Sequence, residues 1–322
     1  MNSKYKLMIK GFALLGIVGL LSSCGGGGGD GDTPAAPADR YVLSGNGDGT
    51  ISVFRNNVVA GYATAVGYFD AGSGFPISDM IYDEGNGRVV LITSGGASNG
   101  KIIVLSFDAA TGKVEKLDER PTSGNSSHLA LNSSGTAAYV ASGASTLTTQ
   151  SVDTYTISAA GILSVANSTV LSSFDPDYIK LNTAETRLYV VSRSNAEVLI
   201  FDINADSSLA GSPQTVATNS NPSAIGFNLD GTTAYLTRVN TSANLVVYSV
   251  GADGNLSQTT SLTNSNSPID MVLSDDGQHL YVLDSSNSNV NHYTIDSSTG
   301  EPTFVTSTNL RLYPDFPTIE LL

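Results

Sequence analysis

The sequence predicts an all-β chain folded as a single β-propeller of six blades. Three observations carry this: a motif recurring at a near-constant interval, a period-2 alternation of aromatic and aliphatic residues within each copy, and two chain ends that each hold part of one copy.

The motif is a short apolar strand, an Asp/Asn/Gly turn, and an aromatic residue followed by aliphatics. It runs from Ile225 to Leu236 and from Met271 to Val282, with further copies at 129–140 and 179–190 and a weaker one at 80–91. Its aromatic column falls at Tyr41, Val90, Tyr139, Tyr189, Tyr235 and Tyr281, at intervals of 49, 49, 50, 46 and 46 residues. A second phrase follows each time, as in Val152, Tyr155, Ile157 and Val198, Phe201, Ile203, with aromatic and aliphatic residues on one buried face. It ends in turns rich in Asp, Gly and Ser: 108–112, 158–161, 206–209, 252–254 and 296–300. Each repeat therefore holds three or four strands in up-and-down order, which is a propeller blade.

The ends complete the count. Residues 39–44 carry the aromatic phrase without an opening strand, whereas Phe316–Leu321 matches only the opening strand, as written at 267–273. Pairing the two makes one blade from both termini, closes the ring and abolishes exposed edges. Seven blades, the alternative, would need a further, diverged blade. Two stacked β-sandwiches would not repeat near 48 residues.

The domain reading assigns 1–23 to a lipoprotein signal peptide, 24–38 to a tether and 39–322 to the propeller. Lys4, Lys6 and Lys10 precede an apolar run from Phe12 to Leu21, too short to span a bilayer, and Ser22 and Ser23 lead to Cys24. The ending Leu21-Ser22-Ser23-Cys24 resembles the bacterial lipobox. That resemblance implies cleavage before Cys24 and acylation of its thiol, with palmitate among the acyl groups; Cys24 is the only cysteine and has no intramolecular disulfide partner. Gly25–Gly29 and the Pro/Ala stretch through Ala38 cannot bury apolar surface and read as a flexible tether. Gly25 after the cysteine points to the outer membrane of a bacterial envelope, facing the periplasm or the surface.

Losing Lys4, Lys6 and Lys10 from the 15 basic residues leaves 12 against 29 acidic ones, a net charge near −17. Such a balance opposes nucleic acid and anionic head groups as partners. The expected partners are the membrane, through the anchor, and an envelope protein or glycan; the body is expected to be a monomer.

Leu188-Tyr189-Val190-Val191-Ser192 and Leu280-Tyr281-Val282-Leu283-Asp284, with Ser274-Asp275-Asp276-Gly277 before the latter, resemble the YVTN repeat of lactonase-type β-propellers. The resemblance spans nearly the whole mature body. It implies a family that includes seven-bladed 6-phosphogluconolactonase-like enzymes and many exported proteins. WD-repeat and quinone-dependent propellers rely on tryptophan, and this chain has none.

Propeller ligands sit over the central channel. The loops leading into the innermost strands bring Asp79, His128, Asp177, Ser223 and Asp270 there, and the loops after the aromatic phrase bring Asp48, Arg193, Arg238 and Asp284. Carboxylates, an imidazole and guanidiniums suit a polar or anionic ligand. His128, Arg193 and Arg238 are the candidate catalytic set; Asp79, Asp177, Asp270 and Asp284 are candidate ligand-binding residues. No cofactor is expected, although Asp177 and Asp270 are the natural ligands should calcium bind. His279, beside a turn, and His292, in an outer strand, are expected to lie apart from His128 and from each other, which disfavours a His-based zinc site. Gly96-Ala97-Ser98-Asn99-Gly100 spells a nucleophile elbow, but the motif needs a following helix and a strand follows here.

Two functions fit. The first is a binding or interaction module acting through its top-face loops. The alternative is a lactonase or related hydrolase working in the channel, where a general base and an oxyanion partner are required.

Overall fold

A computed structural model of the chain describes residues 19–22, 40–57, 62–95, 99–143, 150–239, 243–263 and 267–309. They form six four-stranded antiparallel sheets arranged in a ring, with strands in consecutive order within each sheet. No α-helix occurs among the described residues, and a single 3-10 turn lies at Glu84–Asn86.

Blades 2 to 6 start from the inner strands Ile77–Asp83, Ser126–Leu131, Tyr178–Leu181, Pro222–Phe227 and Pro268–Leu273. In blade 1 that position, beside Arg40–Gly45, is taken by Gly19–Ser22, with Gly19 opposite Leu43 and Leu21 opposite Tyr41. The sequence assigned this place to Phe316–Leu321, which lies outside the described residues, as do Cys24 and the tether. The extended Gly-Leu-Leu-Ser backbone pairs with the edge that Arg40–Gly45 would otherwise leave bare.

The sheets are glued face to face. Tyr41, Leu43, Ile51 and Val53 of blade 1 pack with Val89, Leu91 and Ile103 of blade 2. Val90, Ile92 and Ile102 of blade 2 meet Ala138, Val140 and Tyr155 of blade 3. The alternation read from the sequence is thus an alternation between the two neighbours of each blade.

The aromatic column also ties successive blades together. Four of its five phenols cross to the hairpin turn of the following blade: Tyr41 donates to Ala110 O (3.4 Å), Tyr139 to Ser207 O (3.0 Å), Tyr189 to Gly254 O (2.7 Å) and Tyr235 to Gly300 O (2.8 Å). In blade 2, where the column holds Val90, Arg88 makes the crossing instead. Its Nη1 donates to Ser158 O at 2.8 Å, while its other nitrogens hold Asp83 and Gly135 O. The turns before the column are built alike. Asn132 and Asn182 accept from the backbone N–H groups four and five residues on, and Asn228 accepts from Thr233 N. Gly135, Gly231 and Gly277 supply the left-handed residue that these turns need, at φ of 68, 72 and 69°.

Candidate functional site

A β-bulge near the start of the inner strand sets the geometry of the channel. It displaces the pairing in blades 2, 3, 5 and 6, so that Asp79, His128, Ala224 and Asp270 stand opposite Ile92, Ala141, Thr237 and Leu283. Tyr178, opposite Val191, holds the same place in blade 4. Each partner lies two residues beyond the aromatic column, so Asp79, His128, Tyr178, Ala224 and Asp270 are structurally equivalent and form the neck of the channel. In blade 1 the equivalent place, opposite Leu43, is held by Gly19.

The neck residues touch. Asp79 is fully buried; its Oδ2 accepts from Leu129 N of blade 3 at 2.8 Å and lies 3.5 Å from His128 Nδ1. The His128 and Tyr178 rings are 3.8 Å apart between centroids. The Tyr178 hydroxyl reaches Asp270 Oδ1 at 3.4 Å, across from blade 4 to blade 6. Asp79 and Asp270 are each fixed further by a hydrogen bond from the following backbone N–H, both at 2.8 Å.

Two residues on, the side chains face the channel again. That level holds Ile81, Ala130, Lys180 and Val272, which with His128, Tyr178 and Asp270 line a cavity of about 130 Å³. Lys180 is exposed, its side chain opening onto channel space with protein crowded about the ammonium. The loss of hydration lowers its ammonium pKa, against the opposing attraction of Asp270 and Asp79. Burial, reinforced by Asp270 and Asp79, pushes the Tyr178 phenol well above its ordinary value.

The other candidates are placed elsewhere. Asp177 and Ser223 sit one residue before the neck; in blade 5 the bulge shifts Ser223 out of it, and in blade 4 the register puts Tyr178 rather than Asp177 opposite Val191. Asp177 accepts from Arg193 N at 2.7 Å, and the Ser223 hydroxyl donates to Pro268 O at 2.6 Å. Arg238 is buried, with Nη1 on Thr218 O (2.7 Å) and Nε on Ala243 O (3.0 Å), so its guanidinium braces loops. Asp284 accepts from Ser286 N (3.0 Å) and Ser286 Oγ (2.7 Å) and fastens its own turn; Asp48 does the same for Thr50. Arg193 does not line the cavity. Tyr178 and Lys180 were missed. The signal that could have found them is the strand period, which puts both on the face of His128 once the inner strands are aligned.

The expected separation of the other histidines is corrected. His279 and His292 lie on adjacent strands, with Nδ1 and Nε2 3.0 Å apart and Tyr281 stacked on His292. Among the described residues, no group of three or more His, Cys, Asp or Glu comes together as a metal site.

Residues 89–224 and 211–311 match the family model described as lactonase, 7-bladed beta-propeller. The chain belongs to the lactonase β-propeller family. Its described residues depart from the family's seven blades by forming six. Similar folds include the periplasmic gluconolactonase PpgL of Pseudomonas aeruginosa, at 18% identity and a TM-score of 0.69, covering 81% of this chain and 79% of that one. A functionally unknown protein from Desulfotomaculum acetoxidans gives 16% and 0.68 over 81% and 76%, and a protein from Lactobacillus plantarum 17% and 0.66 over 84% and 82%. At these identities the likeness is one of fold. No curated protein matches.

Proposed function

We propose that this lactonase-family propeller hydrolyses a small, uncharged, hydroxylated lactone in its channel neck, while held in the bacterial envelope by a lipid on Cys24. The carrying observation is the convergence of His128, Tyr178, Lys180 and Asp270 on one cavity, with Asp79 behind His128. In this reading His128, steadied on its Nδ1 side by Asp79, takes a proton from the attacking water. The Lys180 ammonium stabilises the oxyanion and then protonates the departing ring oxygen. Hydroxyl groups of the substrate find acceptors in Asp270 and donors in Tyr178.

Charge supports an uncharged substrate. The neck sets one ammonium against the carboxylates of Asp79 and Asp270, and the mature body is strongly acidic. A phosphorylated lactone would bring a dianion into that field. The cavity is also smaller than the 300–1,000 Å³ usual for larger ligands.

The test is hydrolysis of uncharged aldonolactones by the purified protein, against their phosphorylated forms. Expected are turnover of the uncharged series and at least a hundredfold loss of kcat in His128→Gln and in Lys180→Met. Full activity in His128→Gln, or no lactone turned over, refutes the reading. The interaction-module reading rests on the anchor and tether; it gains support if envelope extracts yield a reproducible partner for a protein that turns over no lactone.

A further inference from the structure

We propose that His279 and His292 form a two-imidazole site for a divalent transition-metal ion, copper(II) above all, on the face of blade 6 that looks toward blade 1. The site lies outside the channel and depends on none of the chemistry proposed there.

The strand register builds the pair. His279 opens the strand His279–Asp284 and stands opposite Thr294, while His292, in Asn289–Ile295, stands opposite Tyr281. The two are therefore diagonal neighbours on one face, within reach of ring side chains. Their nitrogen-bearing edges meet. Nδ1 of His279 and Nε2 of His292 are 3.0 Å apart, with the ring centroids 5.0 Å apart and the planes inclined at 48°. Tyr281 stacks on His292 at 12° and 4.9 Å, which fixes the tilt of that ring.

The frame does not ask for imidazoles here. The place of His292, across from the aromatic column, is held in blades 2 to 5 by Val104, Thr154, Ile200 and Val247, all buried. Blade 6 differs because its forward face is not sealed. Buried apolar clusters join blade 1 to 2, 2 to 3, 3 to 4, and 4 through 5 to 6, but among the described residues none joins blade 6 to blade 1. His279, Tyr281 and His292 are accordingly half-buried, and an ion with its remaining water ligands has a path to the nitrogens.

Two facing ring nitrogens at this distance can share one proton or one metal ion, but cannot both carry protons. Burial, and then the nearness of His279, lowers the His292 pKa, which favours the neutral ring that a metal needs. The spacing selects the ion. Two nitrogens about 2.0–2.1 Å from a metal lie about 2.9 Å apart at a right angle and about 3.3 Å apart at the tetrahedral angle. The observed 3.0 Å fits the right angle, one edge of a square-planar or tetragonal copper(II) or nickel(II) site, and copper(II) leads on affinity. Asp276 adds negative charge beside the pair. Its carboxyl is held below the ordinary range first by the Ser274 hydroxyl and the Gln278 N–H, and further by the attraction of His279. Two equatorial positions remain for water or a small anion.

The test titrates copper(II) into the untagged full chain, treated with a chelator and dialysed, and carrying Cys24→Ser to remove its one thiol. Calorimetry should give one ion per chain, and the electron paramagnetic resonance spectrum should be tetragonal with splitting from two nitrogens. His279→Gln and His292→Gln should each weaken binding by roughly tenfold or more, since losing even a residue behind a metal ligand costs that much. His128→Gln should bind copper(II) as the parent does, and zinc(II) should bind the parent about tenfold more weakly. Because both rings are half-exposed, the Tm of each metal-free variant should match the parent's; should one variant fail to fold, the two-nitrogen splitting of the parent decides the matter. No stoichiometric copper, parent affinity in either folded variant, or a spectrum without two-nitrogen splitting overturns the proposal. Zinc(II) held as tightly as copper(II) overturns the choice of ion.

Discussion

Replacing Tyr189 by phenylalanine isolates the bond by which one blade holds the next. The ring is fully buried and packs on Phe227 at 4.7 Å between centroids, contacts that phenylalanine keeps. What disappears is the 2.7 Å hydrogen bond from the phenol to Gly254 O in the turn of blade 5. A net hydrogen bond is worth about 1 kcal/mol, and a carbonyl left dry costs roughly 1–3 kcal/mol, so a loss of about 1–2 kcal/mol is expected. Urea unfolding of both proteins measures it, with the m-value unchanged. A difference below about 0.3 kcal/mol would refute the claim that the column ties blades through its hydroxyls. The same groups set an alkaline limit. Burial pushes the column phenols of Tyr139, Tyr189 and Tyr235 up to about 12 from the ordinary 10. A group whose pKa rises on folding contributes its stability fully below pH 10 and loses it as the pH climbs through 12. Absorbance titration should therefore show a protected phenol class that ionises together with unfolding, and Tyr189→Phe should make that loss shallower. Ordinary titration of every tyrosine near pH 10 in the folded protein would exclude it.

Asp83→Asn should cost about 3–5 kcal/mol, because it strands the buried Arg88 that straps blade 2 to Ser158 and Gly135 of blade 3; thermal unfolding reads the loss. Gly135→Ala should be more damaging than an ordinary glycine replacement, since its methyl group would fall on the Asp83 carboxylate at a φ of 68°; a Tm equal to the parent's contradicts this packing. The activity of the parent should fall on the alkaline side as Lys180 loses its proton, at a pH below the ordinary lysine value of 10.5 because burial lowers that pKa. The residual activity of Lys180→Met should show no such limb; an identical pH profile would take Lys180 out of the reaction.

The blades were legible because their signal is repeated. Tyr139, Tyr189 and Tyr235 recur at a fixed spacing, with the same turn before each and the same alternation around each, and six noisy copies reinforce one pattern. The neck was only half legible. Asp79, His128 and Asp270 could be named because charged and ring side chains stand out near the start of an apolar strand. Asp177 and Ser223 were one residue off: in blade 5 a bulge adds a residue that periodicity cannot count, and in blade 4 only the strand register decides between Asp177 and Tyr178. Arg193 and Arg238 show another limit. A loop cation can bind a ligand or brace its own backbone, and only the carbonyls of Thr218 and Ala243 around Arg238 reveal which. His279 and His292 lie thirteen residues apart along the chain, yet diagonal strand neighbours bring them together.

The repeat also explains where the chemistry collects. Around the ring, the residue after the neck position is constrained by packing, being Met80, Leu129, Ile179, Ile225 or Met271, always apolar and always between blades. The neck position itself carries Asp, His, Tyr, Ala and Asp in turn, a spread that packing does not require, since Ala224 shows that a methyl group suffices there. One level further in, four of the five blades present Ile81, Ala130, Gly226 and Val272, and the fifth presents the ammonium of Lys180. A charge kept where neutral residues serve four times is not explained by the frame. Its two carboxylate neighbours, Asp79 and Asp270, belong to blades on the other side of the channel from its own, so they were not assembled by local sequence either. Cation and carboxylates meet only when the ring is built, around a space that Lys180 and Asp270 line and that Asp79 backs from behind His128.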